Sequence, residues 1–156
     1  MIDFLKEFFT PFTNLKAISI IVFVGFIVYF NALFGGFVWD DHLQILNNSL
    51  TQSISNIPNI FSIGQLGVFY RPLFYSHLTI VQSIFGANVF IFHLIQISLH
   101  IANSILVLLL FRKFFDKYLS FFLALIFLVH PINTEAVSYI SAVSDPLFVL
   151  FGLLAL

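Results

Sequence analysis

The sequence predicts an all-α, polytopic membrane protein. Two compositional features and one of patterning lead there. Hydrophobic residues make up 60% of the chain and charged residues 8%, against roughly 45–50% and about 25% in soluble domains. A soluble fold must present a polar surface, and this composition cannot cover one. Apolar runs of about twenty residues recur, long enough at 1.5 Å per residue to cross a ~30 Å hydrocarbon core. The same balance narrows the function classes. The net charge is −1 and the basic residues do not cluster beyond Arg112-Lys113, so nucleic acid is not an expected partner. Cysteine is absent, which removes disulfide and thiol chemistry.

The elements follow in order. Lys6 and Lys16 precede an apolar stretch that predicts a first membrane helix at about 15–37, read as a retained signal anchor because no small-residue cleavage site follows it. The segment 38–88 is polar, with Asn47-Asn48-Ser49, Pro58, Gly64 and Gly67, and belongs in water or at the interface, where its backbone groups find partners. Within it, Pro72 is suited to open a helix and Gly86 to close one. A helix of about 72–86 is too short to span and is expected to lie in the interface. A second membrane helix is predicted at 89–111, ended by Arg112-Lys113, and a third at 118–130, interrupted by Pro131. A fourth begins near 146, and its run to 156 reaches about 16 Å, half of the core. It is therefore expected to be incomplete, with residues 1–156 forming the N-terminal part of a larger transmembrane domain.

Orientation follows from the cations. Lys6, Lys16, Arg112, Lys113 and Lys117 fall on one side of this topology and Arg71 on the other. The positive-inside rule then places the N-terminus in the cytoplasm. The expected location is the plasma (inner) membrane, or the endoplasmic reticulum in a eukaryotic cell.

On the far side this topology gathers Asp40, Asp41, Arg71, His130, Glu135 and Asp145. The adjacent carboxylates Asp40 and Asp41 follow the first helix directly. Such a pair can be a helix end meeting water, or a general base with a neighbour that orients substrate or cation. Arg71, in Tyr70-Arg71-Pro72-Leu73, carries a planar fork that fits a phosphate or a carboxylate, so it can bind substrate or bridge to Asp40, Asp41 or Glu135. His93, Gln96, His100 and Asn103 share one face of the second helix. Interhelical hydrogen bonding accounts for such a stripe, and His93, nearest the far surface, is also a candidate for a donor headgroup. Metal ligation is not expected from that spacing. In His130-Pro131-Ile132-Asn133-Thr134-Glu135-Ala136-Val137, Pro131 stops the helix, Asn133 or Thr134 is placed to cap the next one, and Glu135 suits its first turn.

Taken in order, Trp39-Asp40-Asp41, Tyr70-Arg71-Pro72-Leu73, the stripe from His93 to His100, and the run from His130 to Val137 resemble the N-terminal membrane part of the transmembrane-and-tetratricopeptide-repeat family of O-mannosyltransferase-like proteins. The resemblance covers nearly the whole chain from about residue 20. It implies a GT-C-class glycosyltransferase that takes a sugar, mannose by family habit, from a polyprenyl-phosphate carrier on the extracytoplasmic side. It also implies a catalytic carboxylate at Asp40 or Asp41. Arg71, His93, His130, Glu135 and Asp145 are then expected at the substrate, with membrane lipid, the lipid-linked donor and a protein or glycan acceptor as partners. No cofactor is named, and a divalent cation is left open. Relatives often carry Gly-Arg-Ser/Ala-Asp before the fourth helix, where this chain reads Ala142-Val143-Ser144-Asp145. A member that keeps the fold without turnover is one alternative. A non-enzymatic scaffold or transporter portion, with the polar stripe as packing or a permeation path, is another.

Overall fold

The computed structural model describes residues 12–62 and 70–156; Lys6, Gly64 and Gly67 lie outside them. Every regular element among the described residues is helical: α1 Asn14–Val28, α2 Ile57–Ser62, α3 Pro72–Phe85, α4 Val89–Phe111, α5 Lys117–Val129, α6 Thr134–Ser138 and α7 Ser144–Leu154, joined by short 3₁₀ and π turns. Local chemistry marks several ends. Thr13 accepts from the Lys16 amide at the start of α1, and the Asp116 side chain accepts from the Tyr118 and Leu119 amides at the start of α5. Pro72 opens α3, and Gly86 closes it with φ 65°, a conformation that favours glycine.

α4 is the mast of the fold. It packs against α1, α5, α6 and α7. Its C-terminal half contributes Ile101, Val107 and Leu108 to a core shared with Ile21 of α1 and Phe121, Ala124 and Leu128 of α5. Its N-terminal half contributes Phe92 to a second core with Ile45, Ile60, Phe74, Leu78, Ile140 and Val143. That second core binds the 38–62 segment, α3 and the 139–143 turn into one body. α1 lies close on α4 at Gly25, where a Cβ would come within 2.6 Å of Ile101 Cγ1.

α4 occupies the residues expected of the second membrane helix. Among the described residues it is also the one single helix long and apolar enough to cross a membrane; α5 and the Pro131–Ser138 segment reach that length together across a 45° bend. The expected continuous helix over 15–37 is not observed. Its α-helical part ends at Val28 and tightens into a 3₁₀ turn over Phe30–Phe34 before Gly35. Gly35 then comes so close to α4 that a Cβ there would lie 2.9 Å from His93 Nε2.

Candidate functional site

The break after α5 sets the geometry of the far end. Pro131 has no N–H, so the carbonyl of Phe127 loses its α-helical partner. The Asn133 side chain supplies the missing donor at 2.7 Å, which corrects the expectation that Asn133 caps the following helix. The Ile132 amide turns instead to His130 Nδ1, at 3.2 Å, which leaves the Leu128 carbonyl to other partners. Tyr29 donates its hydroxyl to that oxygen at 3.0 Å, and His100 Nε2 lies 3.0 Å from it.

The rest of the α4 stripe works the same way. Gln96 donates to the carbonyls of Ala136 and Tyr139, at 2.7 and 2.6 Å, and Asn103 donates to that of Pro146 at 2.8 Å. Three of the four polar residues therefore serve the carbonyls of the broken helices. His93 is the exception. It is 2% exposed, and neither ring nitrogen has a hydrogen-bond partner.

The two adjacent aspartates are not equivalent. Asp41 is fully buried. Its Oδ2 accepts from the Val38 amide at 2.9 Å. Its Oδ1 accepts from the amide and the hydroxyl of Ser141, at 2.9 and 2.5 Å, one hundred residues away in the chain. Asp40 is exposed, and among the described residues its carboxylate takes a single long contact, from Gln44 Nε2 at 3.5 Å. Trp39, immediately before it, has φ 46°, the one positive φ among the described non-glycine residues, and its side chain is 86% exposed.

Two tyrosines locate the neighbours of Asp40. The phenol of Tyr75, buried on α3, is pushed up by burial, held down by the Arg71 guanidinium and raised again by Asp40. Arg71 and Asp40 thus address the same group. The phenol of Tyr139 is also raised, chiefly by burial. The Ser141 side chain opposes that shift, and the charges of Asp40 and Asp41 add to it. With the Asp41–Ser141 pair, the residues whose charges bear on Tyr75 and Tyr139 make up the Asp40 neighbourhood. Tyr75, Tyr139 and Ser141 escaped sequence reasoning because nothing in their spacing marks them; a polar aromatic two residues before a serine in the 139–141 turn was the only local sign.

Arg71 also borders a cleft of about 570 Å³, walled by Leu73, Phe74, Leu147, Phe148 and Phe151, with Ser144 at the same site. Arg71 and Ser144 are the polar residues on its border, and the Ser144 oxygen is buried and, among the described residues, has no hydrogen-bond partner. Ser144 is the first residue of α7, so the positive end of that helix dipole lies beside it.

The other expected site residues are placed differently. His130 shapes the turn after α5. Glu135 and Asp145 are exposed in the first turns of α6 and α7, where a carboxylate offsets the helix dipole. Among the described residues neither hydrogen-bonds or ion-pairs with the Asp40 neighbourhood. Val143 is fully buried in the second core.

No family model and no solved structure matches the chain. Curated proteins do. The chain is 32% identical over 151 residues to the mouse "Protein O-mannosyl-transferase TMTC3", covering 91% of the chain and 16% of that protein. It is 36% identical over 141 residues to human "Protein O-mannosyl-transferase TMTC1", covering 81% and 16%. It is 26% identical over 156 residues to the Caenorhabditis elegans "Protein O-mannosyl-transferase F38B6.6", covering 92% and 23%. The chain thus spans between a sixth and a quarter of the length of these relatives. These matches show a TMTC-like sequence, related over most of its length to one part of the named O-mannosyl-transferases.

Proposed function

We propose that this chain is the N-terminal part of a polytopic GT-C-type glycosyltransferase that moves a sugar, mannose by analogy with its relatives' names, from a polyprenyl-phosphate carrier to an acceptor hydroxyl on the extracytoplasmic side. The observation that carries the reading is the split between the two aspartates: one is buried and takes three hydrogen bonds, and the other is exposed with a single long contact among the described residues. Asp40 is then the base. It takes the proton of the acceptor hydroxyl as that oxygen bonds to the anomeric carbon, and the bond from that carbon to the phosphate oxygen breaks with inversion. The electron pair leaves on the phosphate, whose charge Arg71 and the start of α7 offset. The apolar walls of the cleft suit the polyprenyl chain.

Membrane crossing is supported by length. α1 rises about 22 Å and the 3₁₀ turn after it about 10 Å, together near the core thickness. The test is sugar transfer by the full-length protein carrying Asp40→Asn, with polyprenyl-phosphate mannose as donor. kcat falls by at least about a hundredfold with donor binding retained; wild-type turnover removes the assignment. A second reading, a relative that keeps the fold without turnover, draws on Val143, which fills a core position where relatives often carry arginine. Transfer by the unaltered full-length protein rules it out.

A further inference from the structure

We propose that Trp39, Asp41 and Ser141 form a latch that fixes the direction of the Asp40 carboxylate, so that Asp41 is a positioning residue and not a second base. The proposal rests on the catalytic reading of Asp40 above.

The argument begins with the backbone. Trp39 holds φ 46°, a conformation that a bulky L-residue keeps only where its surroundings over-determine it. Its side chain is 86% exposed, so packing of the indole does not impose it. The constraint lies in the turn. The Asp41 amide donates to the Val38 carbonyl at 2.9 Å while Asp41 Oδ2 accepts from the Val38 amide at 2.9 Å, which closes residues 38–41 from both sides. The His42 amide donates to the Trp39 carbonyl at 3.2 Å and continues the closure.

The closed turn is then anchored to the other half of the chain. Asp41 Oδ1 takes two donors from Ser141. Ser141 is held in turn by its buried neighbour Ile140, by Val143 two residues on, and by Gln96 gripping the Tyr139 carbonyl. Asp40 sits between the strained residue and the buried one, and among the described residues its own side chain has one long contact, to Gln44. Its direction is therefore inherited from the latch.

All three groups facing the Asp41 carboxylate are donors. An asparagine there would turn its amide nitrogen toward an N–H or O–H, so Asp41→Asn confounds folding with function. Ser141 and Trp39 are the cleaner probes. The experiment uses the full-length protein in membranes, with polyprenyl-phosphate mannose and an acceptor peptide, and compares Ser141→Ala, Ser141→Thr, Trp39→Gly and Asp40→Asn. Ser141→Ala, which removes one charge-assisted bond and keeps the amide, lowers kcat about tenfold with the donor KM unchanged, and Ser141→Thr restores it. Trp39→Gly lowers kcat without lowering the thermal midpoint, because glycine takes φ 46° without strain but also ranges over conformations closed to Trp39, which loosens the direction of Asp40. It decides the matter should Ser141→Ala fail to fold. Wild-type kcat in Ser141→Ala or Trp39→Gly, in a preparation where Asp40→Asn is inactive, overturns the latch alone. Wild-type turnover by Asp40→Asn overturns the catalytic reading and the latch with it.

Discussion

Replacing Gln96 tests whether the polar stripe of α4 exists to serve broken helices. Gln96 is 1% exposed and donates to two carbonyls, those of Ala136 and Tyr139, at 2.7 and 2.6 Å. Gln96→Met keeps length and volume and removes both bonds. A buried hydrogen bond contributes a net 0.5–1.5 kcal/mol or so in soluble proteins and about 0.6 kcal/mol on average between membrane helices. Two of them give about 1–3 kcal/mol. At roughly 2–4 °C per kcal/mol for a domain of this size, the thermal midpoint drops by about 2–12 °C. Gln96→Glu keeps the shape but points a second acceptor at the two carbonyls, and it destabilises at least as much at neutral pH. The assay is thermal unfolding of the detergent-solubilised full-length protein, followed by a size-exclusion or thiol-independent dye readout. Wild-type midpoints for both variants would refute the idea that the stripe is structural and return it to the permeation or ligand readings.

Further outcomes follow from the same geometry. Gly35→Ala places a methyl 2.9 Å from His93 Nε2 and 3.2 Å from the Ala32 carbonyl; it costs about 1–3 kcal/mol, and His93→Ala in the same chain restores most of the midpoint. Burial lowers the pKa of His77 on α3 below its ordinary 6.5. The unfolded chain therefore binds a proton there before the folded one does, so stability is full above about pH 6.5 and falls as pH drops below it toward the folded value. His77→Gln flattens that fall, measured as midpoint against pH from about 7.5 to about 5.

Much of the fold is legible from the chain alone, because its signals are local. Apolar length determines α4 at 89–111, Pro72 and Gly86 bracket α3, and Pro131 breaks the helix before it. Each is a short-range effect of side-chain chemistry on its own backbone, and periodicity is enough to see it. The family likeness is legible for the same reason, since it lies in ordered short motifs.

The division of labour between Asp40 and Asp41 is not legible, because two identical side chains one residue apart carry the same sequence signal. Ser141, a hundred residues on, decides which carboxylate is consumed in structure and which is left in solvent. The early end of α1, with Gly35 packed against His93, is likewise not legible, and the purpose of Gln96, His100 and Asn103 comes from carbonyls that Pro131 and the turns beyond it leave exposed. Sequence determined where the chain can be helical and how apolar it must be. Only tertiary packing decided which polar groups meet, because hydrogen-bond partners are chosen by proximity in space, and proximity across a hundred residues is set by the cores that fold them together.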